Sequence, residues 1–413
     1  MSKRTQWSVR RVTGSPILVT VLAVALGLVV GAFVIILTNS QVLDAWRGIF
    51  HSWGAPGHAL NLTFNHVGAA YRDMFTGSVI DPQTLWHAIT TGQGWPAAMT
   101  PISETLTYAT PLVIASIGVG ICFQTGIFNI GANGQAIVGG IAGTAVGASL
   151  HLPTVLLIPL TLAGGVVGGM VAGAIPGFLK AYTGAHEVIV TIMLNYVIAN
   201  FLIFSLLSTP LQQPGQQNDL SRTLEPGAIL SPIFGASTGL RVNYGVFIAV
   251  GVVIFAWWFL ERSSLGFEYR ITGANPRAAL VSGIKPRRVI IGVFLISGGL
   301  SGLAGITQVA GTTHYIDGGF LIGSAGIGFT AITVALLGRN RPMGIVWGSL
   351  LFAALGVGGR TMQASTGIPL DLATVIQSAI VLFVATPVLV KELFRLRAAP
   401  TSSVQLATQG WSS

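Results

Sequence analysis

Charge is scarce in this sequence: only 8% of its 413 residues are Asp, Glu, Lys or Arg, against about a quarter in a soluble domain. A water-exposed surface cannot be clothed with so little charge, which excludes the ordinary soluble globular classes. Cysteine is scarcer still. The single Cys122 lies in an apolar run, so neither a disulfide framework nor a cysteine metal site can form. The seven histidines show no metal-ligand spacing, and no GxxxxGK phosphate loop occurs. No cofactor or metal is therefore expected on this chain, and whatever energy source drives it must lie on another. Acid is also short, leaving a net charge of +9. A basic excess raises nucleic acid as a partner, but a nucleic-acid binder concentrates Lys and Arg on one face of a soluble fold. Here they fall between apolar runs.

What fills the sequence is apolar: 52% of residues are hydrophobic and 54 are glycine. Runs of about 20 apolar residues cross a hydrocarbon core as helices, and glycine lets such helices approach backbone to backbone. Ten spans are expected, near 16–37, 105–124, 131–150, 154–175, 187–207, 243–260, 288–309, 321–338, 343–358 and 371–391. The fold class is all-α integral membrane, as a single transmembrane domain over 1–413. With the N-terminus inside, sixteen of the 21 Lys and Arg residues fall on the cytoplasmic side and five outside. That asymmetry obeys the positive-inside rule and places both termini in the cytoplasm. The first segment has a basic flank like a signal peptide. Its longer apolar stretch, with no small-residue cleavage site close behind, reads as an uncleaved span.

Three long connections remain. The segment 38–104 lies outside by this topology, and its Trp46, Trp53, Trp86 and Trp95 suit a membrane interface. Segment 208–242, also outside, is rich in Pro, Gln, Gly and Ser and reads as irregular loop. Segment 261–288 is the one substantial polar stretch on the cytoplasmic face. Within it Asn275-Pro276 marks a turn, and 277–284 reads as a short helix of small residues ending at a glycine.

The halves of the chain carry a faint repeat. GIFNIGANG at 126–134 and GGFLIGSAG at 318–326 agree at five of nine positions. The first follows an outside-to-inside span and the second an inside-to-outside span, the pattern of an inverted repeat that sets spans two to five against seven to ten. Glycines around a phenylalanine at both boundaries point to interrupted helices, which membranes tolerate only against protein or a watery cavity.

Each polar motif admits two readings. Asn129, Asn133 and Gln135 place three amides among apolar runs, where they either line a solute path or bond helix to helix. Glu187, Thr191 and Asn195 recur at i, i+4, i+8 on one helix face. Glu187 is either a gate or a carboxylate favoured by a helix N-terminus, while Asn195, about two turns deeper, suits the path. The loop 261–288, edged by Glu268, Arg270 and Arg277, either docks on a cytoplasmic partner or is a solvated connection. Two strings raise a membrane enzyme. GASTG at 235–239 lacks the strand-turn-helix setting of a nucleophile elbow. GLSG at 299–302 has no histidine on a later span to serve Ser301 as base, so that serine reads as close packing.

Three strings together, GIFNIGANGQ at 126–135, GAHEVIVTIMLNYV at 184–197 and ITGANPRAALVSGIKPRR at 271–288, closely resemble the permease subunits of bacterial ABC importers for nucleosides. Their binding lipoprotein is of the basic membrane protein family, within a superfamily that includes ribose and branched-chain amino acid permeases. The resemblance runs from about 100 to 395 and implies a type II importer of the bacterial inner membrane. In such an importer two permease subunits, commonly paralogues, form a central path. An ATP-binding subunit holding ATP and Mg docks on cytoplasmic loops, and a lipoprotein delivers solute. The candidate path residues are Phe128, Asn129, Asn133, Gln135, Asn195 and Phe320, with Glu187 and Thr191 as a candidate gate. The resemblance implies that 261–288 is the ATPase-coupling segment, with Gly273, Asn275, Pro276, Ala278, Ala279 and Gly283 matching the family's pattern and Glu268, Arg270 and Arg277 at its edge. The expectation is a permease importing nucleosides, with a sugar or branched-chain amino acid permease as the alternative. A secondary transporter is less favoured, for no buried charge relay is evident.

Overall fold

A computed structural model describes residues 16–48, 55–207, 211–216, 218–320 and 326–395. Among these the regular structure is helical, with β-pairing limited to isolated bridges. Residue contacts group the chain into two compact units: 1–67 with 371–413, and 68–370.

In the first unit, α1 (Pro16–Thr38) packs against α15 (Asp371–Ala385), with Gly27 directly beneath Ile380. Val19 and Ala23 of α1 close on Val390 of α16 (Pro387–Leu393). The short α2 (Ser40–Arg47) begins on an Asn39 cap, its side chain accepting from the Val42 N–H. Trp46 of α2 donates its indole N–H to Thr63, on α3 (Ala55–Ser78).

The second unit holds the remaining helices. They are α4 (Pro82–Thr91), α5 (Trp95–Gln124), α6 (Ala132–Ser149), α7 (Thr154–Thr183), α8 (Glu187–Leu206) and α9 (Gly245–Arg262). Then come α10 (Ser264–Ala274), α11 (Pro276–Val281), α12 (Pro286–Gln308), α13 (Ile327–Leu337) and α14 (Pro342–Thr366). Among the described residues seven helices are long and apolar enough to span a membrane, namely α1, α5, α7, α8, α9, α12 with its terminal turn, and α14. The shorter apolar α13 and α15 and the amide-bearing α6 complete ten, one for each expected segment.

Glycine explains why α7 and α12 form the core of this unit. Gly165, Gly169, Gly173 and Gly177 recur every fourth residue on one face of α7, and a Cβ at Gly169 would strike the Gly298 carbonyl and Gly302 of α12. A Cβ at Gly173 would strike the Phe294 carbonyl. With no hydrophobic drive between helices in lipid, such backbone-to-backbone contact supplies the packing. Around it gather Ile137, Leu157, Leu202, Ile306 and Ile316, all buried. The end of α12 loosens into a π turn over Val309–Thr313 before His314 takes a left-handed conformation, a one-turn departure of the kind that ends many strained helices.

Two segments read as loops are more ordered than expected. Segment 38–104 contains α2, α3, α4 and the start of α5. Its helices mix polar and apolar residues and lack the long apolar run that reveals a span. Of its tryptophans, Trp53 lies outside the described residues, while Trp86 and Trp95 are exposed. Segment 208–242 is irregular as expected, yet Leu224, Ala228 and Leu230 are buried in the main core. Backbone bonds from Leu224 to His314 and from Leu230 to Ala310 tie it down.

The α7–α12 contact gives a direct test. Gly169→Val should destabilise the protein by about 3 kcal/mol or more through overpacking, while Gly251→Ala, whose Cβ meets nothing, should leave thermal unfolding in detergent unchanged.

Candidate functional site: two helix starts and a helical hairpin

Helix α5 stops at Gln124, and the chain turns at Gly126, whose φ of 73° is left-handed. It then runs without regular structure to the start of α6 at Ala132. Asn129 in this stretch donates to Gln135 Oε1 at 2.9 Å and to Ser297 Oγ at 2.9 Å. Ser297 lies about 17 Å along α12 from its first residue at the helical rise, and Gly131 packs on Thr191, one turn into α8, so α6 begins inside the packed bundle. The first four N–H groups of any helix lack intrahelical partners. In lipid each would cost several kcal/mol unpaired.

Amide side chains satisfy two of those groups in α6, Gly131 N–H and Gly134 N–H. Asn129 Oδ1 accepts from the Gly131 N–H at 3.0 Å and also from Gln135 Nε2 at 3.3 Å. Asn195, reaching over from α8, accepts from the Gly134 N–H at 2.9 Å and donates to the Ile130 carbonyl at 2.9 Å. Asn133 accepts from the Gly328 N–H of α13 at 3.3 Å. Thus α6 and α13 meet start to start, close enough that a Cβ at Gly328 would overlap Asn133. This is where the two copies of the repeat come together, although residues 321–325 of the second lie outside the described set.

The expected path residues divide by exposure. Asn129 and Gln135 are fully buried and Asn133 nearly so, so they brace the wall and do not face open space in this conformation. Phe320 is likewise 7% exposed, its ring against Gly140 within the apolar core. Phe128, by contrast, is 52% exposed, its ring tilted 5.2 Å from that of Phe123. Asn195 is partly exposed on α8, whose neighbouring Ile189, Met193, Tyr196 and Val197 are exposed as well.

The two candidate gate residues have local partners. Glu187 pairs with Lys180 across the α7–α8 turn at 2.5 Å, the two side chains being 12% and 25% exposed. Thr191 is buried, donates to the Glu187 carbonyl at 2.7 Å, and packs beneath Gly131. Lys180 and Ser297 were missed in the sequence. Lys180 could have been found as the one cation in the turn before Glu187, and Ser297 as a hydroxyl within a run of small residues.

Segment 261–288 folds as a helical hairpin, α10 and α11, and not as one turn and one helix. Ser263 caps α10, accepting from the Gly266 N–H. Tyr269 anchors it, buried edge-on against Phe259. Burial, with nearby Cys122 and Glu268 adding, pushes the Tyr269 phenol up to about 12. Asn275 caps α11, accepting from the Arg277 and Ala278 N–H groups at 3.0 and 3.2 Å. Pro276 occupies the first helical position, where its missing N–H costs nothing. Gly283, at φ 81°, ends α11 with Gly283 N–H to the Leu280 carbonyl and Ile284 N–H to that of Ala279, the paired bonds of a Schellman cap. Ala279 is fully buried and holds α11 down. Arg270, Asn275, Pro276, Arg277, Ala278 and Gly283 are exposed, as are Leu280 at 59% and Val281 at 91%. Leu265 and Phe267 on α10 are exposed apolar residues as well, at 51% and 55%.

The hairpin also touches the helix break. Gly273 lies so close to Gln124 and Thr125 that a Cβ there would overlap their backbone, and the Gly273 carbonyl stands 3.5 Å from the Cβ position of Gly126.

A model of the family described as branched-chain amino acid transport system / permease component matches residues 102–385. The chain belongs to that family. It is 32% identical over 291 residues to the guanosine ABC transporter permease protein NupP of Bacillus subtilis, covering 69% of this chain and 81% of that one. It is 34% identical over 292 residues to the glucose ABC transporter permease protein TsgB13 of Haloferax volcanii, covering 69% and 76%. It is 31% identical over 297 residues to the nucleoside ABC transporter permease protein NupB of Lactococcus lactis, covering 70% and 80%. The protein is a multi-pass membrane permease of an ABC transport system, a transport component that works with an ATPase partner.

The permease's capping amides can be tested one at a time. Asn195→Leu removes two hydrogen bonds and leaves Gly134 N–H and Ile130 C=O unpaired, a loss of about 2–4 kcal/mol. Asn195→Asp, which keeps the acceptor, should recover part of that in thermal unfolding.

Proposed function

We infer that this permease takes up nucleosides across the bacterial inner membrane, with the hairpin 261–288 in the cytoplasm receiving the ATPase. Both termini lie on that same side. The solute reading is supported by two relatives named for guanosine and for nucleosides, and by the motif strings at 126–135 and 184–197 that the chain shares with nucleoside permeases. A second permease subunit, a paralogue, faces the exposed side of α8, so that Phe128, Asn195 and the α8 surface border the path between the two. Asn129, Asn133 and Gln135 fix the wall behind them. A lipoprotein outside presents the solute.

The observation that carries the mechanism is the contact of Gly273 with the end of α5 and with Gly126. Leu280 and Val281 form an apolar knob for a groove on the ATPase, and α10 transmits its displacement through Gly273 to the break that opens α6. The Lys180–Glu187 pair at the same end of α7 and α8 closes the path when formed.

Uptake of labelled guanosine into cells carrying the intact transporter should be competed by other nucleosides and left unaffected by glucose or leucine. Competition by glucose instead would transfer the assignment to sugars, which the resemblance to the glucose permease makes the second reading. Val281→Arg, at an exposed position, should leave membrane insertion and thermal unfolding intact while reducing uptake by about tenfold or more; unchanged uptake would remove α11 from the docking surface.

A further inference from the structure

A cavity of the permease borders the end of α5, at the same end of the bundle as the hairpin. It encloses about 770 Å³ between α9, α10 and the start of α14, and Gln124 closes its inner side. Its two faces differ in chemistry. Along α9 it is apolar, lined by Val253, Ile254, Trp257 and Leu260, and Met343 of α14 continues that surface. Ile254, Trp257 and Met343 are all substantially exposed. At the helix ends it is charged, with Arg270, Arg341 and Glu261. Among the described residues neither arginine forms an ion pair; the acids at hand total one and the cations two.

Two further features bias this polar end toward an anion. Helix α14 starts here, with Pro342 in its first turn and no side chain capping its free N–H groups, so the positive end of its dipole points into the cavity. Arg262 is not a competitor, since it lies over the Trp257 ring at 5.8 Å and holds that indole in place. The turn before α14 is itself fixed, Gln124 Nε2 donating to the Asn340 carbonyl at 2.6 Å, so Arg341 is presented from a braced backbone.

We propose that this cleft binds one anionic phospholipid of the surrounding bilayer, its phosphate between Arg270 and Arg341 and an acyl chain along Ile254, Trp257 and Met343. Charge complementarity selects the occupant. An apolar strip that continues into two unpaired arginines matches a molecule with a tail and a phosphate, and the chain is already immersed in such molecules. Basic pockets between membrane helices take phospholipid headgroups by this same arrangement. Glu261 sets a limit on headgroup choice: it repels a second negative charge and accepts a hydrogen bond from a glycerol hydroxyl, which favours phosphatidylglycerol. A lipid so held joins α10 to α14, and therefore the docking hairpin to a spanning helix, without any additional protein contact.

The test is native mass spectrometry of the intact transporter, delipidated in detergent and titrated separately with phosphatidylglycerol, phosphatidylethanolamine, phosphatidylcholine and inorganic phosphate. The wild type should retain one phosphatidylglycerol more tightly than either zwitterionic lipid. Arg341→Gln and Met343→Asp should each weaken that retention about tenfold, whereas Arg360→Gln, on the distant part of α14, should not. Equal retention of phosphatidylcholine, equal retention by Arg341→Gln, or binding satisfied by inorganic phosphate alone would each overturn the proposal. So would a cleft that excludes lipid whenever the ATPase is bound, since that would assign the arginines to a protein carboxylate.

Discussion

A helix that starts inside a membrane must find partners for the N–H groups of its first turn, and this structure is organised around that demand. α6 begins among packed helices, one turn in from the start of α8. Asn129 and Asn195 supply the acceptors at 3.0 and 2.9 Å, and Asn133 does the same for α13. Because the acceptors sit on the break itself, on α8 and on α6, satisfying the backbone also binds these elements together. The constraint that costs most in lipid thereby becomes the one that specifies which helices are neighbours.

The glycines work in the complementary direction. Where α7 and α12 pack together, the helices are held by close approach along Gly165, Gly169 and Gly173. A rigid glycine-packed pair therefore stands beside two helix starts secured by side chains. Hydrogen bonds to side chains can be exchanged as helices move, whereas a backbone contact of this kind tolerates little displacement. The helix start secured by side chains lies at 126–131, next to Gly273 and the hairpin, and not in the α7–α12 core.

Much of this was legible in the sequence, and the remainder was hidden for identifiable reasons. Scarce charge and repeated apolar runs determine a helical membrane fold, and the glycines and amides at 126–135 mark an interrupted helix. The same pattern could not say which way Asn129 and Gln135 point, because an amide that lines a path and one that caps a helix look alike until the neighbouring backbone is known. Their partner Ser297 lies 168 residues away in the chain. Helices α2 to α4 escaped because hydropathy finds length and apolarity together, and they have only one of these. Nor could the sequence say which residues of the loop 261–288 are buried, since a small residue in a polar loop suits either a contact surface or an anchor: Ala279 is fully buried, while Val281 two residues on is exposed.

The central claim is that motion at the docking hairpin reaches the transport path through the backbone contact between Gly273 and the end of α5. The most direct measurement compares ATP hydrolysis and guanosine uptake in the same proteoliposomes for the wild type and for Gly273→Val, whose side chain would push α10 away from Gln124 and Thr125. The account predicts that hydrolysis persists while uptake falls by about tenfold or more. Uptake that stays in its normal ratio to hydrolysis would contradict it.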